Sequence, residues 1–151
     1  LYKRAVKILL YRHHSKYKMK NKDRPKDYFI AKLPDDLQKD LKQLQTIAIN
    51  GIREEKLIFD FSADDELLNG LDDCGLFNKL EDKRQNIFCF LHLTIQEFLA
   101  ALHVVDHINN VESFLSEHID NPQWHLVIQF VSGLVGDKMR ELKEDKNALE
   151  R

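Results

Sequence analysis

Between Asn86 and Val105 the apolar period changes from two residues to 3.6, with no glycine or proline at the change. Phe88, Phe90 and His92 alternate with Ile87, Cys89 and Leu91, which is the pattern of a strand over 86–92. Ile95, Phe98, Leu99, Leu102 and Val105 then share one side of a helix. A strand that passes directly into a helix fixes the direction of both, so the rest of the chain must pack around that junction. Both strand faces are largely apolar, which predicts cover on both sides. Thr94-Ile-Gln-Glu97 has the form of a capping box and should open the helix, with Glu97 as its reciprocal cap.

The neighbouring segments fall into place on the same reasoning. Leu76 to Glu81 is a second strand-like run, joined to the first by the polar residues Asp82 to Gln85, so the two form a hairpin. Upstream, Leu37, Leu41, Leu44, Ile47, Ala48 and Ile52 follow Pro34 at helical spacing and make 35–52 an amphipathic helix. Leu57 to Phe61 is a short apolar run, strand or extended. Ser62-Ala-Asp-Asp65 should open a short helix that stops at Gly75. Leu1 to His14 reads as a helix with Tyr2, Ala5, Val6, Leu9 and Leu10 inward. Downstream, Val111 to Ile119 is a short helix, and Asn121-Pro122 opens another that carries Leu126, Val127, Phe130, Val131 and Leu134. Beyond Lys138 apolar anchors are sparse, which predicts fraying. The fold class is therefore mainly α, a winged-helix module with one short β-hairpin followed by further helices. Residues 1–32 form a first helix and basic connector, 33–108 the winged-helix core, and 109–151 the start of a following helical domain.

Composition narrows the function. At 151 residues and 43% hydrophobic content the chain can build one core. Cys74 and Cys89 lie in no CxxC pair, which fits a reducing, cytoplasmic compartment. The longest uncharged stretch, Asn121 to Gly136, falls short of the roughly 20 apolar residues of a bilayer span, so no membrane partner is expected. The chain starts at Leu1 inside a helical pattern and reads as a piece of a longer protein. Charge is divided unevenly: eight Lys and three Arg against Asp23 and Asp27 give residues 1–32 a net +9, leaving −11 for residues 33–151. In the basic head Lys16, Lys18, Lys20, Lys22 and Lys26 run through mostly polar residues toward Pro25, with Tyr17 the one aromatic among them and no regular interleaving. In the recognition position of the winged helix, Asp64, Asp65, Glu66, Asp72 and Asp73 stand without a cation and would repel a polyanion. Both features argue against nucleic acid.

Catalytic patterns are missing. There is no nucleophile elbow, no paired catalytic carboxylates and no GxxxxGK[ST] phosphate loop, so neither an enzyme nor a catalytic residue is expected. His103 and His107 stand at i and i+4, a spacing that can place two imidazoles together, but no third ligand is indicated and no metal is expected.

Phe90, His92, Gln96, Glu97, Phe98, Ala100 and Ala101 together occupy every fixed position of an FxHxxxQEFxAA pattern. This resembles the signature that ends the winged-helix domain of NACHT proteins, above all the NOD-like receptors of innate immunity. Leu33-Pro34, Lys56 to Phe59, Cys74 to Phe77 and Trp124 to Leu134 resemble further landmarks of that family, so the likeness covers about 33–136. The resemblance implies a regulatory segment of a signalling ATPase, with the nucleotide-binding domain and sensor repeats of the same chain as partners and a homo-oligomer on activation. It implies no cofactor in the segment alone and ADP or ATP in the parent, where His92 would reach the β-phosphate of ADP and help hold the closed state. Gln96, Glu97, Phe98, Ala100 and Ala101 would be structural. On spacing alone, His92 would instead fill a polar corner of the core, in phase with Phe88 and Phe90. A standalone protein-interaction module, or a basic-headed nucleic-acid binder, remains the alternative.

Overall fold

The structure, a computed structural model, describes residues 1–13, 33–61, 75–80 and 87–149. Its elements in chain order are α1 (Tyr2–His13), α2 (Asp35–Arg53), β1 (Ile58–Asp60), β2 (Phe77–Lys79), β3 (Ile87–Phe90), α3 (Leu93–His107), α4 (Val111–His118), a 3₁₀ turn (Pro122–Trp124) and α5 (His125–Leu149). The mainly helical fold with a short hairpin is the one the sequence predicts. The hairpin tip, the helix expected at 64–74 and the basic connector lie outside the described residues.

Helix α2 buries Leu37, Leu41, Leu44, Ile47, Ala48 and Ile52 as its period requires, and adds Gln45, Ile49 and Gly51. Its end is a Schellman motif. Glu55 N–H donates to Ile52 O at 3.3 Å and Lys56 N–H to Gly51 O at 2.8 Å. Glu55, at φ 55°, takes the left-handed position that glycine usually fills. The turn delivers the chain into β1.

The three strands form an antiparallel sheet in the order β1-β3-β2. Its register sets Phe59 opposite Phe88 and Phe77 opposite Phe90. These four rings make an aromatic face. Phe77 and Phe88 stack at 5.4 Å, and Phe77 and Phe90 meet edge-on at 4.9 Å. The other face differs from the sequence expectation of cover on both sides. Ile87 and Cys89 are only half-buried, and Ile58 and Leu91 are 58% and 52% exposed. The reason is that α2 meets the sheet on the phenylalanine side, at Gly51 against the Phe59 ring.

Helix α3 is the central element, packed between α2 and α5. Of the predicted stripe Phe98, Leu99 and Leu102 are buried while Ile95 and Val105 are half-buried, and Gln96, Ala100, Ala101 and Val104 join the buried set. Behind it Asn121 accepts the Gln123 N–H and caps as expected, and Asn110 accepts the Ser113 N–H and caps α4 as well. Pro122 opens a 3₁₀ turn before α5 rather than α5 itself, and Trp124 from that turn is buried edge-on to Phe114. The tail expected to fray is helical to Leu149. Its early part carries an Asp137–Arg140 pair one turn apart and a Lys3–Asp137 bridge to α1 at 3.4 Å, which supply anchors that apolar residues do not. In α1, Val6 and Leu10 are buried as predicted, but so is Lys7, whose ammonium lies 5.9 Å from the Tyr11 ring centre.

Gly51 and Glu55 yield opposite expectations. A Cβ at Gly51 would stand 2.5 Å from Gln96 Nε2 and 2.6 Å from the Phe59 ring. Gly51→Ala should therefore lose about 1–3 kcal/mol despite its better helix propensity. Glu55→Gly relieves the left-handed strain and should gain about 0.5–1 kcal/mol. Urea denaturation of the two variants checks both signs.

Candidate functional site

The strand-to-helix junction is built in three steps. Phe90 closes β3, buried edge-on to Phe59 at 5.7 Å. Leu91 N–H then donates to Leu76 O at 2.9 Å, the last bond of the hairpin. His92 follows in extended conformation, φ −153° and ψ 144°, and α3 begins at Leu93.

His92 caps α3. Its Nδ1 accepts the Thr94 backbone N–H at 3.2 Å and lies 2.7 Å from Thr94 Oγ1. A backbone amide can only donate, so Nδ1 is the acceptor in this bond and Nε2 is the ring nitrogen left to donate. The side chain is exposed. This corrects the reading of His92 as a filler of the core: the chain turns outward after Phe90, and the phase set by Phe88 and Phe90 ends with the strand. It also corrects the capping box. The helix starts before Thr94, whose N–H goes to His92, so the reciprocal cap expected of Glu97 has no place.

The other residues of the motif lie inward. Gln96 is 1% exposed, and its Nε2 donates to Lys56 O at 3.0 Å, tying α3 to the chain leaving α2. Phe98 is buried, stacked on Tyr2 at 5.4 Å and edge-on to Phe130 at 5.3 Å. Ala100 and Ala101 are fully buried. Glu97 is half-buried one turn into α3. There burial raises its carboxyl above the usual range, and His92 pulls it back only in part, as expected for a carboxylate moved out of water. The structure thus brings His92, Thr94 and Glu97 to one helix end, and places Phe90, Gln96, Phe98, Ala100 and Ala101 in the packing beneath it. The Thr94 contact was not anticipated. Its only sequence signal is a hydroxyl residue two positions after a histidine.

His103 and His107 stack at 4.6 Å with planes 22° apart, and His107 Nδ1 lies 3.3 Å from His103 O. Among the described residues no group of three or more His, Cys, Asp or Glu stands together as a metal site would require. His103 Nδ1 is buried without a hydrogen-bond partner among the described residues. Burial, then His107 and Arg53, hold the His103 imidazole below its ordinary pKa, against a smaller opposite pull from Asp106. Each of these influences disfavours the imidazolium except the last.

The chain matches no protein-family model and no curated protein. No helix among the described residues is long and apolar enough to cross a membrane.

The depressed His103 value has a definite sign. The folded state disfavours the imidazolium, so the stability His103 contributes is full above its ordinary value of 6.5 and is lost as pH falls from there through the lower folded value. The urea midpoint should drop on acidification over that window, and His103→Gln should show a smaller drop. An identical acid slope in the variant would refute the assignment.

Proposed function

We propose that the chain is a regulatory winged-helix and helical segment of a NACHT-type signalling ATPase resembling a NOD-like receptor. In this reading it contacts ADP held by the nucleotide-binding domain, favours the closed state, and swings away on nucleotide exchange so that the protein oligomerises. The observation that carries the reading is the state of His92. With Nδ1 committed to Thr94, the ring keeps an Nε2–H to donate, at the N-terminus of the fifteen-residue α3, which is the positive end of the helix dipole. A phosphate oxygen is the matching acceptor. Leu91 and Leu93, 52% and 45% exposed, flank the histidine. A protein surface that brought the phosphate would also cover two leucines left in water here.

The residues fit a single contact and not a complete cradle. One imidazole and one helix terminus cannot replace a phosphate-wrapping loop, and the sequence contains none. Binding would therefore need the nucleotide-binding domain, and its effect is a population shift: about 1.4 kcal/mol lost from the closed state changes the ratio of states tenfold. The contact acts on regulation and performs no chemistry itself. Cytoplasmic location and sensor repeats as intramolecular partners belong to the same proposal.

Two substitutions separate the cap from the phosphate contact. Asparagine is a good N-cap but lacks the reach of imidazole, whereas leucine removes both functions. In a full-length protein that carries the nucleotide domain, His92→Asn should leave the melting temperature close to wild type and raise basal oligomer on native gels. His92→Leu should raise oligomer too, with a stability loss of about 0.5–2 kcal/mol from the missing cap. If His92→Asn gives no extra oligomer, the histidine is a cap and nothing more. The present chain alone should show no stoichiometric ADP binding by calorimetry.

A further inference from the structure

The β1 edge of the sheet carries backbone groups that the ladder does not use. Leu80 N–H donates to Ile87 O and Leu91 N–H to Leu76 O, so residues 87, 89 and 91 direct their backbone groups at β2, and Phe88 directs its own at β1. Phe88 stands opposite Phe59. The N–H and C=O of Phe59 therefore serve the ladder. Those of Ile58 and Asp60 point away from it, to an edge that no strand covers among the described residues.

That edge borders a groove of about 320 Å³ between β1 and α2. Buried Ile47 and Phe59 and half-buried Phe61 line it, and the two rings stack at 6.3 Å. Thr46 and Asn50, one turn apart on α2, add exposed polar groups. An unpaired edge beside an apolar groove is what β-strand addition uses: main-chain bonds give affinity, and pockets for alternate side chains give specificity.

Charge and alternation select the occupant. Asp60 is exposed and forms no ion pair among the described residues, whereas Glu54, which also lines the groove, is bridged by Lys56 at 2.5 Å. Ile58, 58% exposed, shares the sheet face of Asp60, and Phe59 takes the other. We propose that the β1 edge binds an extended basic–apolar–apolar peptide of a partner protein as an antiparallel strand. A lysine or arginine would stand opposite Asp60. An apolar residue opposite Phe59 would point into the groove, and a second opposite Ile58 would cover its exposed side chain. A second copy of this chain is a poor occupant: pairing β1 with itself about Phe59 sets Ile58 against Asp60 and leaves the carboxylate without a cation. The proposal does not rest on the phosphate contact of His92.

The probe is acetyl-Thr-Lys-Val-Ile-Thr-amide, titrated into the ¹⁵N-labelled chain with amide shifts as the readout. Saturable movement should centre on Ile58, Phe59 and Asp60. In the paired register the lysine and isoleucine nitrogens of the peptide face β1, and the valine nitrogen faces away. N-methylation of the lysine or the isoleucine should therefore weaken binding about tenfold, and N-methylation of the valine about twofold or less. Asp60 is exposed, so Asp60→Lys should keep the fold, checked by its melting curve. This variant should bind the peptide about fivefold more weakly and prefer the analogue with glutamate in place of lysine. The N-methyl series uses the unaltered chain and decides the matter whatever the variant does to folding. No saturable shift, equal loss from all three methylations, an unchanged preference in a folded Asp60→Lys, or a β1-paired dimer without peptide, seen as concentration-dependent shifts of the same amides, would each overturn the proposal.

Discussion

Close contact between α2 and α3 governs the arrangement of everything else. At Gly51 the α2 backbone comes so near Gln96 and the Phe59 ring that a single methyl group would collide with both. That approach places the end of α2, the start of β1 and the first turns of α3 in one packed unit. The sheet follows from it, since Phe59 is the ring through which β1 meets Phe77 and Phe90. On the opposite side α3 packs against α5, so a helix with one predicted apolar stripe becomes buried on several faces. Ala100 and Ala101 are fully buried there and supply the small side chains that such a crowded position allows.

Gln96 is the polar counterpart of that packing. A buried amide is costly unless bonded, and a backbone carbonyl leaving a helix needs a donor. The Gln96 Nε2 bond to Lys56 O meets both needs, and Lys56 is held in turn by its own N–H on Gly51. Gln123 makes a similar bond one residue inside the end of α2, from its Nε2 to Ile52 O. Two glutamines thus tie the C-terminal end of α2, one to α3 and the other to the 3₁₀ turn ahead of α5. A polar residue at an apolar position of α3 is in this way part of the fold's specification and not a defect in its pattern.

The candidate site depends on this rigid base. His92 stands where the sheet ends and α3 begins, and Phe90 and Phe98 on either side are buried, so the histidine has little freedom to move with respect to the core. Its exposure and its bond to Thr94 make it a donor facing outward. Glu97 one turn later sits in a poorer environment for charge, which shifts its carboxyl toward the neutral form.

Among the described residues, the sequence by itself determined the helices, the two strands of the hairpin and most of the core. Periodicity records which side of each element avoids water, and Leu37, Leu41, Leu44, Phe88, Phe90, Phe98 and Leu99 are all buried as their spacing requires. It also marked His92 as a residue of interest, through a motif whose other members turn out to support the junction. Only the tertiary structure decided which way His92 faces, that Thr94 serves as its partner and not as the cap, that one sheet face stays open, and that Lys7 and Gln45 are buried. These outcomes depend on the distance between segments far apart in the chain, such as Gln45 and Asp106 or Gln96 and Lys56. Local spacing carries no information about that distance, which is set when the helices close on one another.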